Sequence, residues 1–304
     1  MLTLLQPGAV VACPFPKRVS ASAIRTMAAM SLPALAPLVT VLVLAELAVG
    51  TVAVALLSDL GGDVGRGFLG TTALICLAIM GVDLVLLLIL PDPSQLLHTP
   101  VGAGRYASFV HWLVGFSGAT LAYALFSAVG TDPARRVVGG IAVACGGVAI
   151  AMAALTFGAA LGGGLGAAVA FVPAMLLCGS ALCGMLLGHW YLIAPDLTFK
   201  PLRRAVYVVF GAVALQAAAI TGALLRAEPD ARHAVIGAHY GVPFWLLVVA
   251  AGLLFTAGVN GLTLYFARIR ANQPATAMLY VLIITVLMGA VPAHLLYFLT
   301  RVPV

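Results

Sequence analysis

Two carboxylates and four histidines stand out in this 304-residue chain as side chains able to move protons from within apolar surroundings. Glu46 lies at the centre of Leu44-Ala45-Glu46-Leu47-Ala48, and Asp83 interrupts Gly81-Val82-Asp83-Leu84-Val85. An acid in such a run costs a few kcal/mol unless it is paired or faces a polar or ligand-filled cavity. Each therefore points to proton transfer or to hydrogen bonding with an apolar redox molecule. The competing reading is a protonated carboxyl bonded to a neighbouring helix. His111 precedes Trp112, His239 precedes Tyr240, and His294 follows Pro292 by two residues, whereas His189 sits in Gly188-His189-Trp190-Tyr191. Imidazole beside acid suits proton relay, and a pair of imidazoles suits the axial positions of a haem. Trp and Tyr beside three of these histidines also fit the lipid–water interface, where amphipathic rings commonly sit without chemistry.

The elements that position these groups are long and apolar. Hydrophobic residues make up 63% of the chain and charged residues 8%, too little polar surface for a soluble globule. Requiring roughly 20 apolar residues per crossing gives eight segments: Leu35 to Leu57, Phe68 to Leu90, Ala107 to Val129, Val137 to Leu161, Leu165 to Ile193, Ala205 to Leu225, Phe244 to Phe266 and Ala275 to Thr300. No period-two alternation runs through them, which excludes a barrel. The expected fold is an all-α, polytopic integral membrane bundle of about eight transmembrane helices, forming a single domain over residues 31–304. Residues 1–30 read as a tail, either disordered or an overlong gene start with translation beginning among Met27 to Met30. That segment lacks the apolar core and small-residue cleavage site of a signal peptide.

Lys and Arg set the orientation. Loops after the odd-numbered spans hold Arg66, Arg135, Arg136, Lys200, Arg203, Arg204, Arg268 and Arg270, against Arg105, Arg226, Arg232 and Arg301 on the other face when the tail is left out. The positive-inside rule then puts the basic loops in the cytoplasm and both termini outside, in a multi-pass protein of the cell inner membrane. The net charge of +6 is thereby a topology signal. Nucleic acid is excluded as a partner because no folded polar surface carries a basic stripe. Membrane lipids are the expected surroundings.

In this topology Asp83, His111, His239 and His294 fall toward the outer face and His189 at the cytoplasmic one. The first four, with Glu46, are the candidates for quinone binding and proton relay. His111 and His294 are also the candidate axial ligands of a b-type haem. Gln216 and Asn260 are expected to make interhelical hydrogen bonds. Gly158, Gly162 and Gly166, and Gly184 and Gly188, repeat every four residues and read as close-packing faces. Pro173 and Pro292 are expected to kink their helices. Cys13, Cys76, Cys145, Cys178 and Cys183 form no CxxC pair and read as small apolar residues rather than disulfides or zinc ligands.

Eight spans in about three hundred residues and the first-span centre Val41-Leu42-Val43-Leu44-Ala45-Glu46-Leu47-Ala48-Val49-Gly50 resemble the membrane-anchor subunits of dimethyl sulfoxide and polysulfide reductases. Ala45 and Glu46 replace glycines usual in that family. The resemblance implies electron exchange between a quinone bound toward the outer face and a soluble iron–sulfur partner subunit, commonly without a haem. Two other classes fit the same residues: a proton-coupled small-solute transporter, which an internal repeat would favour, and a non-catalytic membrane anchor or assembly subunit, in which the buried polar groups would be dispensable.

Overall fold

The computed structural model describes residues 32–62, 64–161, 166–194, 198–237 and 239–304, so the expected tail lies outside the described residues. Eight helices long and apolar enough to cross a membrane follow one another. They are α1 (Leu32–Leu60), α2 (Arg66–Ile89), α3 (Ala103–Val129), α4 (Asp132–Leu161), α5 (Gly166–Ile193), α6 (Lys200–Arg226), α7 (Gly241–Arg268) and α8 (Asn272–Thr300). No strand occurs among the described residues. The apolar segments read from the sequence lie within these helices almost entirely. Most helices begin a few residues earlier, at Arg66, Asp132, Lys200 and Asn272, because a helix continues into the interface where charged residues are solvated. Short helices, Pro93–Leu97 and Pro229–Ile236, each open on a proline, which suits a first-turn position whose N–H has no intrahelical partner.

The eight helices pack as two four-helix units with one plan. In the first, α1 packs on α2 and α4, α2 on α3, and α3 on α4; in the second, α5 packs on α6 and α8, α6 on α7, and α7 on α8. The units meet through α1 and α5, flanked by α4 against α5 and by α8 against α1. Exchanging α1–α4 with α5–α8 reproduces this pattern, and each unit places its proline-initiated short helix between its second and third spans. Four crossings per unit mean that the repeats run in the same direction through the bilayer. This internal repeat has no counterpart in a shared residue pattern between the halves.

Burial identifies the centre. The most apolar stretch of α1 is 83% buried and that of α5 67%, against 28% for α2 and α6. Close approach of α1 and α5 depends on two glycines. A Cβ on Gly50 would run into the Met175 carbonyl oxygen and lie 2.9 Å from the Gly179 Cα, and one on Gly179 would run into the backbone of Gly50 and Thr51. Thr51 Oγ1 donates to Leu47 O at 2.6 Å, satisfying its hydroxyl at the crossing. In the second unit Gly252 of α7 meets Gly289 of α8, where a Cβ on Gly252 would lie 2.7 Å from the Gly289 Cα. Gly184 and Gly188, expected to be a packing face, receive Leu279 of α8, and Thr276 Oγ1 donates to Gly188 O at 2.9 Å. Of the other glycine run, Gly158 is buried and Gly166 has, among the described residues, only Pro303 near its missing Cβ, while Gly162 lies outside them.

At the basic face of the first unit the arginines counted for topology also form a clamp. Arg135 donates from Nε to Asp59 Oδ2 at 2.9 Å and from Nη2 to Asp59 Oδ1 at 2.5 Å, tying α4 to the end of α1. Arg136 Nη2 donates to Asp59 O at 2.9 Å, and Arg66 Nη2 reaches both Asp132 Oδ1 at 2.9 Å and Gly130 O at 2.5 Å. The Arg135 and Asp59 side chains are only 4% and 2% exposed. Removing one partner of a buried, bidentate pair leaves the other charge uncompensated, at a cost of about 3–5 kcal/mol. An Arg135→Ala variant is therefore expected to lower the thermal midpoint strongly, and Arg135→Ala with Asp59→Ala to recover part of the loss. A single variant melting with the wild type would contradict this.

Candidate functional site

Glu46 and His294 meet. The α1 and α8 helices carry them to opposite sides of one contact, where His294 Nε2 lies 3.0 Å from Glu46 Oε1, and both residues are buried. His294 Nδ1 lies 2.9 Å from the Ala290 carbonyl oxygen. A carbonyl only accepts, so Nδ1 carries the proton, and this fixes the tautomer. The contact between Nε2 and Glu46 then shares one further proton, either as carboxylic acid to neutral imidazole or as imidazolium to carboxylate. In either form the pair has no net charge, which makes its burial tolerable. Glu46 Oε2 is buried without a hydrogen-bond partner among the described residues.

Aromatic rings hold the imidazole. Phe171 of α5 lies 5.2 Å from it, centroid to centroid, and Tyr297 packs edge-on against Phe171 at 5.8 Å. Pro173 and Pro292, the two prolines expected to mark irregular helix, lie two residues from Phe171 and His294 respectively.

A cleft with a free volume of about 30 Å³ lies in the second unit, and His294 lines it. Its walls are mostly small and apolar, with Ala174, Gly252, Gly289 and Ala293 among them, and it is a narrow crevice rather than a chamber. Glu46 does not line it, so His294 separates the acid from the cleft. Two further polar side chains face the lining, Gln216 of α6 and Tyr297 of α8. Gln216 Oε1 and the Tyr297 hydroxyl are both buried without a partner among the described residues. One wall belongs to Phe244–Phe255, a π-helical stretch of α7 that contributes Val248, Gly252 and Leu253. The wide π turn is stitched at its end by Thr256 Oγ1, which lies 3.1 Å from Ala251 O and 2.9 Å from Thr285 Oγ1 of α8 and can donate to one of them at a time. Such turns recur at functional sites.

The other candidates do not join this site. Asp83 is fully buried in the first unit, inside the bundle rather than against lipid, and neither carboxyl oxygen has a hydrogen-bond partner among the described residues. His111 is exposed on α3, with Nδ1 2.6 Å from the Ala107 carbonyl oxygen of its own helix. The single pocket expected from Asp83, His111, His239 and His294 is thus divided: His294 works with Glu46 where α8 of the second unit meets α1 of the first, and His111 points away from the bundle interior. The same facts disfavour a haem between His111 and His294, because one ring is turned outward and both nitrogens of the other are engaged. His239 is exposed beside Tyr240, and His189, at the basic face, is exposed with Nδ1 3.3 Å from Tyr280 Oη. Both fit the interfacial reading.

Gly188-His189-Trp190-Tyr191, the most distinctive peptide of the sequence, acts as a fastening at the basic face. Trp190 packs edge-on against Phe68 at 6.0 Å, and the Tyr191 hydroxyl donates to Thr198 O at 2.5 Å with its ring stacked on Phe199. Asn260 makes the expected interhelical bond, Nδ2 donating to Val206 O at 2.9 Å. Gln216 differs, having its carbonyl oxygen left over in the cleft. Cys76, Cys178 and Cys183 are buried free thiols and Cys145 a half-buried one; Cys178 lines the cleft, and Cys13 lies outside the described residues.

The chain matches no protein family, no curated protein and no solved structure. Its functional reading therefore rests on the chemistry of the second-unit cleft.

Proposed function

We propose that this chain is the membrane subunit of a respiratory electron-transfer complex, and that it exchanges electrons and protons with a quinone in the cleft between α5, α6, α7 and α8. The observation that carries the reading is the buried His294–Glu46 pair behind an apolar cleft. The Tyr297 hydroxyl supplies a donor for a quinone carbonyl, whose oxygen gains negative charge on reduction and so gains from hydrogen bonding, and Gln216 Oε1 supplies an acceptor for a quinol hydroxyl. Tyr297 and Phe171 provide the aromatic surface a planar ring packs on. Oxidation of a quinol releases two protons and two electrons. The pair, which already holds one shared proton, takes a second as imidazolium beside a carboxylic acid; the other proton leaves to water. Both electrons pass to a soluble redox partner, since no loop of the chain is long enough to house an iron–sulfur domain.

Orientation follows the Lys and Arg counts, with the basic loops in the cytoplasm of a cell inner membrane and the termini outside. His294 precedes the end of α8 by six residues, roughly 9 Å at the helical rise, so the cleft belongs to the outer half of the bilayer. A cysteine placed at Arg203 is expected to resist labelling by an impermeant thiol reagent in intact cells. Strong labelling there would reverse the topology and move quinone chemistry to the inner side.

Proton-coupled transport of a small solute is the second reading, favoured by the internal repeat, since transporters often place a site within or between repeated units. Proteoliposomes separate the two. Quinol oxidation by an added redox acceptor without solute flux supports the first reading; solute-dependent proton uptake without redox turnover supports the second.

A further inference from the structure

The repeat allows the two halves to be compared at the same face, and they differ in charge. In the first unit Arg66, Arg135 and Arg136 are taken up by Asp59 and Asp132. In the second, Lys200 and Arg203 at the start of α6 and Arg268 and Arg270 at the end of α7 are exposed and have no ion pair among the described residues. The α6 and α7 helices pack against each other, so the four cations share one edge of the bundle.

A second feature lies one turn deeper into the bilayer. Tyr207 follows Arg203 by four residues and Tyr265 precedes Arg268 by three, spacings that place each phenol on the same helix face as its guanidinium. Both rings are exposed, at 53% and 57%. Each helix thus presents a cation at headgroup depth above an aromatic ring at the level of the glycerol and upper acyl chain, the order in which a phospholipid presents phosphate and then ester.

We propose that the α6–α7 edge at the basic face is a binding site for an anionic phospholipid, with Lys200, Arg203, Arg268 and Arg270 around the headgroup phosphate and Tyr207 and Tyr265 along the chains. The guanidinium groups suit phosphate because each offers paired donors in one plane. A net-neutral phosphocholine headgroup lacks the uncompensated charge that the edge would neutralise. The site is separate from the cleft and stands whether or not the quinone reading does.

The test uses the full chain in nanodiscs of phosphatidylcholine with increasing phosphatidylglycerol or cardiolipin, together with mass spectrometry of lipid kept through purification. Wild type is expected to retain anionic lipid selectively. Arg203→Gln with Arg268→Gln is expected to weaken that retention by about thirtyfold, at about 1 kcal/mol per basic residue. The four side chains are exposed, so the double variant should melt with the wild type in pure phosphatidylcholine discs, separating lipid binding from folding. Undiminished retention in the double variant, or equal retention of phosphatidylcholine by the wild type, would overturn the proposal. So would capture of an acidic soluble protein on this edge with no anionic lipid held there.

Discussion

Glu46→Gln is expected to leave the protein folded while cutting quinol-linked electron transfer by roughly 10²–10⁴-fold, the usual contribution of a positioned acid–base group. The Gln amide N–H can donate to the unprotonated Nε2 of His294, so the α1–α8 contact survives, but the shared proton has lost its carboxyl. His294→Ala should be worse in two ways, losing turnover and leaving Glu46 buried without its imidazole partner, a change that costs stability as well. A double apolar variant, Glu46→Leu with His294→Leu, distinguishes the two roles. Replacing both partners of a buried pair by apolar groups is often close to neutral for stability, so the double variant is expected to melt near the wild type and remain inactive. Turnover at the wild-type rate in the double variant would show that the pair only joins helices.

The second large effect belongs to the α1–α5 crossing. Gly50 and Gly179 touch backbone to backbone, and a side chain at either must displace backbone rather than the flexible end of a neighbouring residue. Gly179→Leu is expected to abolish recovery of monodisperse protein, because the helices that join the two units can no longer approach. Gly211→Leu on α6, where a Cβ meets nothing within 4 Å, is the control and should be recovered normally. Equal recovery of both variants would contradict the packing described for the centre of the molecule.

The eight crossings were legible because a bilayer allows little else: runs of some twenty apolar residues separated by Gly-, Pro- and Asp-containing breaks fix the number and order of helices. Glu46 and His294 were each legible as polar residues out of place. Their pairing was not. They lie 248 positions apart, and helices apolar on nearly every face give no stripe from which to read which side turns inward. His294 was accordingly grouped with His111 and Asp83 by depth, whereas depth is shared by every helix and says nothing about which unit a residue occupies. The repeat was hidden for a related reason. The halves share helix order and the two proline-initiated short helices, but Glu46 and His294 have no evident polar counterparts on α5 and α4. Gln216 and Tyr297 were missed as cleft residues, since an amide and a phenol within a span commonly serve helix contacts. Asp59, which organises the clamp at the basic face, stands at a helix end where an acid draws no notice.

The central claim is that the second-unit cleft holds a quinone, and the most direct measurement is the quinone content of the purified chain in wild type and in Ala174→Phe. Ala174 lines the cleft, and a phenyl ring there fills space a quinone ring would need. The account predicts close to one quinone for each wild-type chain and almost none in Ala174→Phe, with both proteins recovered as folded bundles. Equal quinone content in the two, or none in the wild type, would contradict it.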